Sequence, residues 1–147
     1  MDDLNKKDYQ DYAEKQIPKP TYNKNMFFAF VIGGGICMVG QFIMNILKKQ
    51  GFNSDMVAAG SSIILVFVGS LLTGLGVYDR IGKIGGAGAA IPITGFANSI
   101  VAPAMEYKRE GFIFGVASKM FVIAGPVLVY GIGTSVIVAL LNILIKK

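Results

Sequence analysis

The sequence predicts an all-α membrane protein with three transmembrane helices plus a Gly/Pro-broken segment, re-entrant or amphipathic. A fourth full crossing is the alternative reading of that segment. Three observations carry this. First, hydrophobic residues make up 53% of the 147 positions and charged residues only 16%, well under the roughly 25% of a soluble domain. Second, charge is segregated: five acidic and five basic residues fall in the first 25 positions, and the other thirteen sit in short clusters between long neutral runs. Third, two runs of 22 residues, Met26 to Leu47 and Met56 to Val77, carry no charge at all.

Residues 1–25 read as a polar tail that is retained, too long and too acidic at its start for the basic region of a signal peptide. Leu4 to Gln16 suits a short helix, and Pro18 and Pro20 stiffen the chain ahead of the first span. Residues 26–147 form the membrane domain. Each 22-residue run would be about 33 Å long as a helix, enough to cross a hydrocarbon core of about 30 Å. The first is closed by Lys48 and Lys49, the second by Tyr78, Asp79 and Arg80. The short loop between them makes an antiparallel hairpin of spans 26–47 and 56–77.

The broken segment, residues 84–104, is uncharged but holds four glycines, six alanines, Pro92 and Pro103. Such residues interrupt a helix, and the freed backbone groups are tolerated at membrane depth only inside protein or beside water. Pro92, Gly95 and Pro103 are the expected break points. After the Glu106 to Glu110 cluster, residues 111–145 contain a single charge, Lys119. One helix of that length, about 52 Å, exceeds a single crossing. Gly125 and Pro126 offer a break, giving an interfacial helix over 111–124 and a last span over 126–145.

Basic residues set the orientation. With a re-entrant third segment, ten Lys and Arg lie on the tail side and four opposite; with four spans the split is nine to five. Both place the N-terminus inside.

Catalytic chemistry finds no support. The chain has no histidine, the commonest general base and metal ligand. No zinc spacing occurs, and Gly82-Lys83 runs into Ile84 rather than the Ser or Thr of a phosphate-binding loop. No enzyme activity, cofactor or metal is expected. The +5 net charge comes from basic residues flanking apolar runs, which argues for membrane anchoring and against nucleic acid. The lone cysteine, Cys37, reads as a small core residue. Ser70-x-x-x-Gly74 and Gly131-x-x-x-Ser135-x-x-x-Ala139 are small-residue stripes suited to close helix packing.

Polar groups inside the apolar runs are the candidate site. Thr94 and Asn98, four residues apart, share a helix face, with Ser99 adjacent. An unpaired Asn98 amide in hydrocarbon would cost several kcal/mol, so it bonds a neighbouring helix or borders water. Lys119 either snorkels to the interface or meets an anion in a wet cavity.

The stretch Ile91-Pro92-Ile93-Thr94-Gly95-Phe96-Ala97-Asn98-Ser99-Ile100-Val101-Ala102-Pro103-Ala104-Met105-Glu106 resembles the SpoVAC/SpoVAEb type of the SpoVA sporulation family. The continuation Tyr107-Lys108-Arg109-Glu110-Gly111, then Phe114 to Phe121 and the Gly125-Pro126 pair, is similar as well, and the likeness extends over nearly the whole chain. That resemblance implies a multi-pass protein of the forespore inner membrane, where the inside N-terminus given by the basic residues is on the core side. It implies a channel subunit that moves dipicolinic acid, with calcium, into the forespore and out again during germination, with mechanosensitive character. The implied partners are a SpoVAEb-like membrane subunit, a SpoVAD-like soluble subunit and the lipid bilayer. Dipicolinate is a small planar dianion, and an anion path needs polar donors and cations without a tight trap. Thr94, Asn98, Ser99, Lys108, Arg109 and Lys119 are the expected lining. The alternative is a non-conducting scaffold subunit of the same assembly.

Overall fold

The computed structural model describes residues 2–16 and 21–146. Pro18 and Pro20, expected to stiffen the approach to the first span, lie outside them. Every element among the described residues is helical: α1 (Asp2–Gln16), α2 (Tyr22–Lys49), α3 (Ser54–Gly74), α4 (Tyr78–Gly85), α5 (Ala87–Ala90), α6 (Ile93–Glu106), a 3-10 turn (Tyr107–Glu110), a π-helical turn (Phe112–Ala117) and α7 (Ser118–Ile145). Three helical stretches are long and apolar enough to cross a membrane: Tyr22–Lys49, Ser54–Gly74 and Phe112–Ile145.

The α2–α3 hairpin forms because two apolar runs are joined by a short polar turn. Gly51 takes φ 84°, a conformation glycine adopts without strain. Asn53 then caps α3, its side chain accepting from the Met56 N–H at 2.8 Å. Leu47 lies against Gly60 and Leu65 against Gly40, so the two helices run antiparallel.

The third hydrophobic segment is re-entrant. Gly76, at φ 69°, turns the chain out of α3. The amphipathic α4 follows, with Tyr78 and Gly85 buried and Asp79, Arg80 and Lys83 exposed. Gly86, at φ 49°, ends it. After the one-turn α5, Pro92 begins α6. Gly69 of α3 lies against Thr94, and Thr73 bonds Asn98. The residue order is the same on both helices, so α6 runs parallel to α3. The chain has therefore dipped back along α3 by about five residues, about 8 Å, and re-emerges on the side where α3 ended. Three crossings and one re-entrant dip result.

Close backbone approach is what permits this dip. The backbone of Gly88 in α5 packs on Ala29 and Gly33 of α2, where an added Cβ would collide with the Ala29 carbonyl. A Cβ on Gly69 would fall 2.8 Å from the Thr94 carbonyl oxygen. By contrast, nothing lies near Gly74 or Gly131, and Ser135 and Ala139 are exposed. The small-residue stripes expected to pack are thus unused within this chain, and the close approaches fall to other glycines, Gly33, Gly69, Gly85, Gly88 and Gly95 among them.

The expected helix breaks need correction. Pro103 and Pro126 sit inside α6 and α7 without ending them, and Gly95 lies in the first turn of α6. The actual interruptions are Gly76, Gly86, Pro92 and Gly111 (φ 98°). The interfacial helix of 111–124 and the last span of 126–145 are one continuous helical stretch, Phe112–Ile145. The reason is local. Gly125 has no Cβ for the Pro126 ring to strike, which removes much of the usual penalty before proline. In hydrocarbon, moreover, breaking the ladder strands several groups where Pro126 strands one. At about 51 Å the stretch exceeds the core, so its excess turns tilt or leave the apolar layer.

Candidate functional site

The structure gathers the polar groups of α6 at two different places. Thr94 is buried, and its hydroxyl lies 2.7 Å from the Tyr78 hydroxyl, which also donates to the Ala89 carbonyl at 2.8 Å. This knot ties α4, α5 and α6 together. Every one of these hydroxyls is satisfied internally, so Thr94 acts as a fastening.

One turn on, Asn98 is half-buried. The Thr73 hydroxyl lies 2.9 Å from its Oδ1 and 2.7 Å from the Gly69 carbonyl. A hydroxyl has one proton, so the two acceptors share it, or the Asn98 amide turns its NH2 group to Thr73. In both cases one end of the amide is held by α3. No buried side-chain polar atom among the described residues lacks a partner, so the other end is open to the adjoining cavity.

That cavity, about 610 Å³, lies between α6 and α7. Its polar lining is Asn98, Ser99 and Glu106, and Ile123 and Val127 supply the α7 wall. The Ser99 hydroxyl donates to the Phe96 carbonyl at 2.7 Å. Pro103, also in the lining, has no N–H, so the Ser99 carbonyl loses its helical partner at this point. The cavity wall thus combines side-chain dipoles, a freed backbone acceptor and one carboxylate, as expected where broken backbone borders water.

Of the residues expected to line a path, Asn98 and Ser99 meet at this cavity. Lys108 and Arg109 are exposed on the 3-10 turn, at the end where the re-entrant segment emerges. Lys119 is half-buried, its Nζ 4.6 Å from the centre of the Tyr107 ring. This cation–π contact joins α7 to the 3-10 turn. Gly125 and Pro126 lie just past Ala124, which is fully buried. Three contributors escaped sequence reasoning: Thr73, Tyr78 and, as a cavity residue, Glu106. Tyr78 reads naturally as the polar end of a span. The only available signal was that a tyrosine there, followed by charges with a helical repeat, begins an amphipathic helix whose ring turns inward. Among the described residues no cluster of His, Cys, Asp or Glu suits a metal ion.

Residues 25–141 match the family described as SpoVAC/SpoVAEB sporulation membrane protein. Stage V sporulation protein AC of Bacillus subtilis (strain 168) is 41% identical over 143 residues, covering 97% of this chain and 95% of that protein. No solved structure is detectably similar. The match takes in most of α2, all of α3 to α6 and most of α7, including the re-entrant segment and the cavity: the chain belongs to the SpoVAC/SpoVAEB family of sporulation membrane proteins.

Proposed function

We propose that this protein is a membrane channel subunit for dipicolinic acid, carried with calcium, serving uptake into the forespore and release during germination. The reading places it in the spore inner membrane with the N-terminal tail on the core side. Its partners are a SpoVAEb-like membrane subunit and a SpoVAD-like soluble subunit. It performs no catalysis and needs no cofactor.

The observation that carries the reading is the re-entrant segment with Asn98 and Ser99 facing a cavity of about 610 Å³. Regular helices close their backbone groups to solutes, while broken ones present them. A dianion with a chelated cation is served by neutral dipoles that solvate without trapping. Glu106 at the cavity and Lys108 and Arg109 at the segment's exit supply both signs of charge nearby. Mechanosensitive gating is part of the proposal. A 34-residue apolar helix is longer than the core it crosses, so its tilt responds to bilayer thickness.

One observation favours the scaffold reading: every residue from Pro126 to Lys146 is exposed in the single chain, a face on which other subunits can assemble. Reconstitution separates the two. The purified chain in dipicolinate-loaded liposomes should release the solute faster than protein-free liposomes, more so under osmotic downshift. Release equal to the protein-free control, with the chain inserted, would favour the scaffold.

A further inference from the structure

We propose that the seam between α2 and α3 is a built site for one anionic phospholipid, with an acyl chain in the seam and the headgroup phosphate on Arg80 and Lys83 of α4. The inference is independent of conduction.

The seam holds a slot of about 360 Å³, walled by α2 from Val31 to Val39 and by Leu65, Val68 and Leu72 of α3. Tyr78 and Ile81 of α4 close one end, with Thr94 behind. The Thr94 hydroxyl bonds the Tyr78 hydroxyl, which donates to the Ala89 carbonyl, so the slot offers an occupant little but hydrocarbon. Val31 to Val39 spans about 12 Å of helix, little over two turns and shorter than the three to four turns of an ordinary docking helix. A single hydrocarbon chain fits the slot.

Charge specifies the other half of the ligand. Ile81 faces the slot, while Arg80 and Lys83, on the same short helix, are exposed. Asp79 is exposed beside them, leaving α4 with one net positive charge. The contact of Gly85 with Ile32 puts α4 alongside the apolar run of α2, which begins at Met26. Cations at that depth reach toward the interface and pair with anions there. Arg80 and Lys83 leave the slot-facing side of Tyr78 and Ile81, so a phosphate lying against the outer face of α4 meets them while its chain enters the slot from the open lipid side.

Two glycines give a clean test. Gly35 lines the slot, and a Cβ on it would meet nothing within 4 Å. Gly35→Leu therefore starts from an unobstructed Cβ, projects its side chain into the slot and favours the helix. Gly34, exposed and equally unobstructed, is outside the slot and serves as the control. The purified full-length protein in detergent is titrated with phosphatidylglycerol or phosphatidylcholine and read by native mass spectrometry. Wild type and Gly34→Leu should each hold one phosphatidylglycerol about fivefold more tightly than phosphatidylcholine, as one net cation near the surface predicts. Gly35→Leu should lose the bound lipid of both kinds. The double variant Arg80→Gln, Lys83→Gln should keep chain binding and lose the headgroup preference. Equal affinity of wild type for the two lipids, or undiminished phosphatidylglycerol binding by a correctly folded Gly35→Leu, would overturn the proposal.

Discussion

The Asn98 amide is fixed on one side by the Thr73 hydroxyl, 2.9 Å away, and opens on the other to the cavity between α6 and α7. Replacing it by leucine keeps a residue favoured in membrane helices and removes both polar contacts. Asn98→Leu should therefore insert at normal level in the spore membrane while dipicolinate uptake and release fall by about tenfold, the worth of one polar contact. Ser61→Ala should leave transport unchanged, since that hydroxyl bonds its own helix at the Ala58 carbonyl. Solute assays on sporulating cells with matched protein levels decide this. Normal transport by Asn98→Leu would remove Asn98 from the path. Lys119 makes a different claim. Its contact with the Tyr107 ring is worth about 0.5–2 kcal/mol. Lys119→Arg should preserve flux, and Lys119→Glu should abolish it by setting a carboxylate against the ring and removing a cation next to the 3-10 turn where the re-entrant segment emerges. Unchanged flux in Lys119→Glu would end a permeation role for this side chain.

At the scale of elements, the re-entrant dip depends on backbone approach. Gly88 and the α2 backbone at Ala29 leave no room for a side chain. Gly88→Val should lower the thermal stability of the detergent-purified protein by about 1–3 kcal/mol, the usual cost of overpacking, through detachment of α5. Gly34→Ala, on an open part of α2, should match wild type. Equal melting of Gly88→Val and wild type would mean that α5 does not dock as described. The sequence made the long elements legible, because uncharged runs of 22 residues leave few alternatives to a spanning helix. It made the broken segment legible as broken, through Pro92 and the glycines. Which residues break it was not legible. Proline inside α6 and α7 is accommodated because hydrocarbon penalises an interrupted ladder more than one missing N–H, whereas Gly76, Gly86 and Gly111 turn the chain through positive φ. The Thr73–Asn98 and Tyr78–Thr94 pairs span 25 and 16 residues, a pairing that local pattern cannot express.

For the whole molecule, parallel α3 and α6 imply that the chain crosses the membrane three times. A reporter or protease site at each terminus should accordingly be found on opposite faces, with the N-terminus on the side of the 3-10 turn at Tyr107–Glu110. Both termini on one face would require a fourth crossing and contradict the dip. In this arrangement the ten-to-four division of basic residues puts the N-terminus on the inner face. The exposed length of α7 beyond Pro126 then faces lipid or other subunits.

The measurement that bears most directly on the central claim is thiol accessibility at Ser99. In a Cys37→Ala background, Ser99→Cys is the sole cysteine, and it lines the cavity. In dipicolinate-loaded liposomes, a membrane-impermeant methanethiosulfonate reagent should modify it and block efflux. Ile63→Cys, on a lipid-exposed part of α3, should leave efflux untouched under the same treatment. A Ser99→Cys protein that inserts and conducts normally, yet stays unmodified or conducts undiminished after modification, would contradict the placement of the re-entrant segment on the solute path.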